Sequence, residues 1–480
     1  MKSHKIIYGF IAFVLASCQG KVENKNNDKV DEISHDSVAT QIDTIPSADS
    51  ISINKDSVSR DSVVMADSMP IPRIVPRELI EQTLQFDDTF IVRKTLKNHP
   101  PVKGIYVSGP IAGHSRFKEL LEMVETTELN AMVIDVKNDN GNVTYNMEHK
   151  LVNEFKANIR YIRGIQSFLA NLHSKNIYVI GRVVAFRDPL LAKKNPDWCV
   201  HRKDGSIYYD RAGLAWVNPY NREVWKYLVS IGKRAAADGF DEIQFDYIRF
   251  STEVKDSEVN YGYGSDTMSK QQVITEFVKY SAEEFGKCGI AFSADVFGTV
   301  IDNDVDTRLV GQNYADMGKY VSTISPMIYP SHYGPKVFGI PIPNNAPYQT
   351  ILGSMKLSKK VLDSLDRKPN VRAWLQDFSA PWVAGARPYT AADVRAQIDA
   401  IYDAGYDEWL LWNASVRYRK EALIRVGDTV PAYKKYRSAA PQKPVSSTTD
   451  SVNNQKKSDI VAKDSIVAVP SNIKKDSISD

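Results

Sequence analysis

Eight short apolar runs, each separated from the next by a longer segment, dominate the middle of the chain. They are rich in Val, Ile, Tyr and Phe, which favours strands. The runs occupy residues 103–108, 131–137, 177–186, 242–250, 290–298, 320–329, 371–378 and 408–414. Strands that alternate with helices pair in parallel, because a parallel crossover needs a helix. Eight such repeats in about 330 residues predict an α/β fold, a (β/α)8 TIM barrel.

The segments between the runs have apolar residues three and four positions apart, which is typical of amphipathic helices. Five of these helical segments are residues 116–129, 159–176, 222–239, 271–287 and 391–405. Gly239, Gly289 and Gly405 precede later strands and are the expected helix stops. An open doubly wound sheet is the competing fold, but no G-x-G-x-x-G follows the first run.

The N-terminus predicts export. Lys2 and Lys5 precede the apolar run 6–15, and Leu-Ala-Ser-Cys at 15–18 resembles the lipobox of bacterial lipoproteins. The resemblance implies a signal peptide over 1–17, cleavage before Cys18 and lipid on its sulfur. We therefore expect a lipid-anchored protein of the bacterial cell envelope, in the outer membrane if the bacterium is Gram-negative. A plain secretory signal and an uncleaved anchor stay open.

The two ends differ in composition from the middle. Residues 18–75 and 431–480 are rich in Ser and Asp, and both repeat short units such as Asp-Ser-Val. Scattered valines cannot bury enough surface to offset chain entropy, so we expect a disordered tether and a disordered tail. Residues 76–101 would lead into a domain over 102–430. Of the three cysteines, Cys199 and Cys288 are expected to be unpaired.

Composition argues against several classes of function. The net charge of +3 gives no hint of a nucleic-acid partner. Neither a zinc-binding spacing nor H-E-x-x-H occurs, so we expect no metal and no cofactor. The absence of G-x-S-x-G counts against a serine esterase.

Polar side chains interrupt the C-terminal ends of the runs, where the active site of such a barrel lies. In the fourth run Ile243 and Phe245 share one face, and Gln244 and Asp246 share the other. The same alternation gives Asp295 in the fifth run and Asp135 in the second an inward orientation. We therefore expect three carboxylates at one rim of the barrel.

A cluster of inward carboxylates suits glycoside hydrolysis, in which one carboxylate attacks or activates water and a protonated one donates to the leaving oxygen. We assign Asp246 and Asp295 to these roles. The remaining polar and aromatic residues near the strand ends are candidates for binding substrate: Asp135, Lys137, Arg182, Gln244, Arg249, Tyr329, Trp374, Gln376, Asp377 and Trp412. Structural alternatives stay open, such as an ion pair between Asp135 and Arg182, an Arg249 that only balances Asp246, and an outward Asp377.

Several segments together resemble a bacterial glycoside hydrolase family known as a domain of unknown function. They are KGIYVSGPIAG, NAMVIDVKNDNGNV, GRVVAFRDPLLAKKNPDW, GFDEIQFDYIRF, SADVFG and SPMIYPSHY, within about residues 102–425. The resemblance implies a (β/α)8 barrel distantly similar to α-amylases, with the nucleophile at Asp246 and the acid at Asp295. This sequence departs from the amylase pattern at two positions. The amylase pattern has Arg at the position of Gln244 and Glu at the position of Asp295.

These departures keep two other functions open. The protein would then be a glycan-binding lipoprotein with a degenerate barrel, or an extracellular scaffold whose tails capture a partner. The expected partners are a glycan and, through Cys18, a membrane.

Overall fold

In a computed structural model, the structure describes residues 79–86, 89–96, 99–262, 264–426 and 428. Its centre is a closed barrel of eight parallel strands in which each strand pairs with the next along the chain and the last pairs with the first. The strands are β1 (Lys103–Val107), β2 (Ala131–Lys137), β3 (Tyr178–Val184), β4 (Glu242–Asp246), β5 (Ala291–Phe297), β6 (Thr323–Met327), β7 (Ala373–Gln376) and β8 (Trp409–Trp412). The predicted TIM barrel is confirmed.

Helices occupy most of the connections. They are α1 (Gly109–Ala112), α2 (Phe117–Thr126), α3 (Lys150–Glu154), α4 (Ile165–Ser174), α5 (Pro189–Lys194), α6 (Arg222–Asp238), α7 (Lys270–Lys287), α8 (Asp304–Val310), α9 (Tyr314–Gly318), α10 (Pro347–Leu362) and α11 (Ala391–Asp403). Gly239, Gly289 and Gly405 have positive φ angles just after helices, as predicted. The sequence pattern placed the start of α4 too early.

Short strands lie outside the barrel. The segment predicted only as a lead-in contains an antiparallel hairpin of strands Leu79–Phe86 and Thr89–Leu96. Val143–Tyr145 and Asn158–Ile162 extend the sheet beside β2, so residues 158–162 form a strand where the sequence predicted helix. His201–Arg202 pairs with Val259–Asn260, and Asn370–Val371 pairs with β6.

Strand β4 ends earlier than the fourth apolar run predicts. Phe245 points outward and packs on Phe277 and Phe285 of α7, which explains the apolar face. Tyr247 then adopts φ +54, a left-handed conformation that a strand cannot continue. The prediction that the strand reaches residue 250 is therefore wrong, and Arg249 lies in the loop that follows it.

A buried ionic network closes the N-terminal end of the barrel. Arg372 donates to Glu242 of β4 over 2.8 Å and to Glu408 over 2.7 Å. Tyr178 and Ser293 also donate to Glu242. Arg372, Glu242 and Glu408 thus each have a partner of opposite charge, which a buried charge requires.

Several sequence predictions lie outside the described residues: the signal peptide over 1–17, lipidation of Cys18, the tether over 18–75 and the tail over 431–480. Within the described part of the chain, every helix is too short or too polar to cross a membrane.

We expect Arg372→Met to lower the free energy of unfolding by about 3–5 kcal/mol, because it leaves two buried carboxylates without their cationic partner. Urea denaturation followed by circular dichroism measures this loss. Lys226→Met is the control, since Lys226 forms an exposed pair with Glu223 and its loss should leave the free energy of unfolding nearly unchanged. A similar small loss for Arg372→Met would contradict a structural network.

Candidate active site

A cavity of about 390 Å³ opens at the C-terminal end of the barrel. The predicted site residues that line it are Arg182, Asp246, Arg249, Asp295, Tyr329, Trp374 and Trp412. Strand ends and the loops after them supply all seven side chains. The cavity therefore lies where a (β/α)8 barrel has its active site.

Asp246 is held in a fully bonded position at the end of β4. Arg182 of β3 donates from Nε and Nη2 to the Oδ2 atom of Asp246, over 2.9 and 2.8 Å. The backbone N–H of Tyr247 donates to Oδ1 over 2.6 Å. Two guanidinium donors and an amide are strong partners for a carboxylate and fix its orientation.

Asp295 has a different environment. Its side chain is 1% exposed, and Trp374 Nε1 donates to Oδ1 over 2.8 Å. Burial, followed by the negative charge of Asp246, raises the pKa of Asp295 well above its ordinary value. The two neighbouring carboxyl groups thus have unequal environments, and a difference of this kind can separate a base from an acid in one site.

Strand register brings the two carboxylates together. Ala294 of β5 pairs with Phe245 of β4, so Asp295 and Asp246 each follow a paired residue and lie on the same face. Adjacent strands are about 4.8 Å apart. The two side chains therefore start from neighbouring positions on one rim.

Arg182 connects the site to the barrel wall. Its Nη1 donates to Asp135 Oδ1 over 2.8 Å, and Tyr106 donates to the other oxygen of Asp135. Burial alone lowers the pKa of Arg182, but Asp139, Asp246 and Asp135 outweigh it and raise the pKa well above its ordinary value. Asp135 thus lies beneath the cavity and positions Arg182.

Aromatic rings surround the carboxylates. Trp412 stacks near Tyr106 with ring centroids 4.3 Å apart and meets Trp374 edge to face at 5.8 Å. Phe378 and Trp382 form a nearly parallel pair with centroids 6.1 Å apart. Tyr329 packs edge-on against Phe378. Flat apolar faces of this kind suit the carbon faces of sugar rings.

Four further predicted binding residues do not line the cavity. Lys137 is fully buried and pairs with Asp188 over 2.8 Å, because a register shift between Asp135 and Lys137 breaks the alternation. Gln244 lies deeper and donates to Ser325. The side chains of Gln376 and Asp377 bond loop groups instead, Gln376 to Asn344 and Asp377 to Arg419.

The sequence did not single out several residues that line the cavity. They include Tyr106, Asp139, Tyr247, Phe297, His332, Phe378 and Trp382. Tyr106 shares the inward phase of β1, so alternation was a usable signal. The others lie mostly in loops, where periodicity gives no information. Within the described residues, no group of three or more His, Cys, Asp and Glu side chains has the arrangement of a metal site.

A family model described as "Putative glycosyl hydrolase domain" matches residues 104–418. The chain belongs to this family. Membership, together with the barrel, confirms the predicted class, a glycoside hydrolase. No curated protein matches the sequence.

Three solved structures are similar to the chain. A hypothetical protein from Ruminiclostridium thermocellum ATCC 27405 is 36% identical over 40% of this chain and 97% of its own, with a TM-score of 0.37. The PgaB (BpsB) glycoside hydrolase domain from Bordetella bronchiseptica is 11% identical over 65% of this chain and 94% of its own, with a TM-score of 0.47. The α-galactosidase TtGalA from Thermus thermophilus is 13% identical over 68% of this chain and 60% of its own, with a TM-score of 0.40. TM-scores below 0.5 give no information about the substrate of this chain.

The raised pKa of Asp295 predicts a pH-dependent stability. A folded-state pKa above the unfolded value stabilises the fold at low pH, and this contribution is lost as pH rises from about 4 through the folded pKa. Asn cannot ionise, so we expect Asp295→Asn not to lose this stability as the pH rises. The melting temperature of the variant relative to that of the wild type should therefore increase with pH. Thermal unfolding at a series of pH values measures this difference. The exposed control Asp302→Asn should parallel the wild type, and an Asp295→Asn curve that also parallels it would contradict the raised pKa.

Proposed function

We propose that the protein is a lipid-anchored glycoside hydrolase that cleaves a polysaccharide or cell-wall glycan with Asp246 as nucleophile and Asp295 as acid and base. The observation that carries the proposal is the unequal environment of two neighbouring carboxyl groups. Arg182 and the Tyr247 amide bond Asp246, whereas Asp295 is buried against Trp374. A glycosidase needs one carboxylate and one carboxylic acid at the same bond.

The proposed reaction has two steps. In the first, Asp295 gives its proton to the glycosidic oxygen while an Asp246 oxygen attacks the anomeric carbon. The bond to the leaving sugar breaks, and a glycosyl ester of Asp246 forms. In the second, Asp295 takes a proton from water, the water oxygen attacks the anomeric carbon, and Asp246 leaves as a carboxylate. One water is consumed for each bond cleaved.

The stereochemical outcome depends on the separation of the two carboxyl groups. Retaining enzymes keep the two groups about 5–5.5 Å apart, and inverting enzymes need about 6.5–9.5 Å to admit water. Asp246 and Asp295 extend from neighbouring positions on adjacent strands, whose backbones are about 4.8 Å apart. Neighbouring positions are compatible with direct attack by Asp246, which is the proposed route, and the configuration of the first product tests it.

We expect Asp246→Asn and Asp295→Asn each to lower kcat/KM on the cleaved glycan by at least about 10²-fold, because each removes one partner of the acid–base pair. Product analysis on a panel of bacterial and plant glycans identifies the substrate, and proton NMR of the first product measures its anomeric configuration. Asp302→Asn should retain wild-type kinetics.

Two outcomes would overturn this assignment. Wild-type rates in both carboxylate variants would exclude the proposed pair, and an inverted first product would exclude Asp246 as nucleophile. Binding of a glycan without any product would instead favour the degenerate, non-catalytic barrel.

Lipid anchoring is the second part of the proposal. The Leu-Ala-Ser-Cys sequence at 15–18 follows an apolar run and supports acylation of Cys18. Several acyl chains would hold the domain firmly at a membrane, at about 0.8 kcal/mol for each buried methylene. The cell envelope is therefore the proposed location, and the outer membrane if the host is Gram-negative.

We expect Cys18→Ser to abolish incorporation of radiolabelled palmitate and to move the protein from the membrane to the soluble fraction. Cys288→Ser is the matched control, since Cys288 is a cysteine of the barrel domain far from the N-terminus. Unchanged labelling of Cys18→Ser would show that the lipid is attached to a residue other than Cys18.

A further inference from the structure

Arg249 is a buried cation in the wall of the cavity, and its charge has no ion-pair partner among the residues that the structure describes. Its side chain is 2% exposed, and it lines the cavity that holds Asp246 and Asp295. No carboxylate of the described residues lies within ion-pair distance of it. Its one hydrogen bond in this part of the chain runs from Nη1 to the backbone oxygen of Phe250, over 2.9 Å.

The other two arginines of the cavity show what a partnered guanidinium looks like here. Arg182 bonds Asp246 and Asp135. Arg187 bonds Asp210 over 3.1 Å and the hydroxyl of Tyr247 over 3.1 Å. Asp246 does not bond Arg249, and its oxygens accept from Arg182 and the Tyr247 amide instead. The lack of a counter-ion is therefore particular to Arg249.

Three aromatic rings hold the Arg249 guanidinium in place. Its central carbon lies 5.0 Å from the Trp216 ring, 5.0 Å from the Tyr247 ring and 4.6 Å from the Phe297 ring. Ring faces stabilise a cation but leave the N–H groups at its edge unused. Burial and the nearby charge of Arg187 lower the pKa of Arg249, the opposite of the shift at Arg182. Asp246 and Glu253 attract the guanidinium only from a distance, and in the described part of the chain neither bonds it.

The position of Arg249 fixes which part of a ligand would reach it. Tyr247 is the residue after Asp246, and Phe297 ends the strand that carries Asp295. A group bound to the guanidinium would belong to a sugar at or next to the cleaved bond. The planar fork of a guanidinium matches a carboxylate, which takes two parallel hydrogen bonds.

We propose that Arg249 binds the carboxylate of an acidic sugar, so that the substrate is a glycan whose residues carry carboxyl groups. This inference rests on the proposed hydrolysis at the same site. Two sources share the chemistry: a uronic acid, with the carboxylate on the ring, and a sugar that carries an acidic ether side chain, as in bacterial cell walls. Binding of the carboxylate supplies the counter-ion that the folded protein lacks at this point.

The test compares each acidic oligosaccharide with its carboxyl-reduced counterpart, which has the same linkages and no charge. We expect the wild type to prefer the acidic form by at least about tenfold in kcat/KM, and the source that shows the preference identifies the sugar. Arg249→Gln should abolish the preference, while Arg249→Lys keeps the charge without the fork and should retain part of it. Arg222→Gln is the matched control, since Arg222 also stacks on a ring, that of Trp225, but outside the cavity.

A second measurement separates failure of this inference from failure of the proposed function. Calorimetric binding of the same oligosaccharides to Asp295→Asn needs no turnover, and Arg249-dependent binding of the acidic form would support the inference even if no glycan is cleaved. Equal cleavage of the acidic and the reduced forms by the wild type would overturn it and leave the hydrolase intact. Cleavage restricted to neutral glycans would do the same. Because the wild type alone gives these results, misfolding of Arg249→Gln would not leave the inference untested.

Discussion

The ion pair between Arg182 and Asp246 is the interaction on which the site depends. It places a fixed positive charge beside one of the two carboxyl groups at the barrel rim. Burial on the next strand, followed by the negative charge of Asp246, raises the pKa of Asp295. The guanidinium and the burial of Asp295 together make the environments of two otherwise identical side chains different.

The inward face of β4 shows how the barrel separates structure from chemistry. Glu242, Gln244 and Asp246 point inward in turn, so they occupy successive layers of the barrel interior. At the bottom, Glu242 belongs to a network in which Arg372 satisfies its charge. At the top, Asp246 faces a cavity. Roughly 13 Å of strand separates a carboxylate that serves stability from one available for catalysis.

The fold was largely predictable because strand and helix periods are visible in the sequence. The exceptions have local causes. Residues 158–162 are too few to distinguish a strand from the start of a helix, and the turn at Tyr247 depends on a positive φ that composition does not reveal. The chain beyond the described residues leaves the predicted tether, tail and signal peptide as predictions.

The site was predictable where alternation holds and not elsewhere. Asp246, Asp295 and Arg182 follow the period of their strands and line the cavity, as expected of inward positions. Lys137 obeys the same period in the sequence, but the register shift in β2 turns it to Asp188. Arg187, Tyr247 and Trp382 lie in loops whose path only the folded chain defines. The lack of a counter-ion at Arg249 is likewise a property of its neighbours rather than of its position.

The protonation states of Asp246 and Asp295 test the central claim most directly and require no substrate. Carbon-13 NMR of protein labelled at the aspartate carboxyl groups would report them, with each resonance assigned by its loss in the matching Asn variant. As the pH rises, Asp295 should keep its proton to a higher pH than Asp246 and than an ordinary aspartate. Loss of the Asp295 proton before that of Asp246, or at the pH of an ordinary aspartate, would contradict the account.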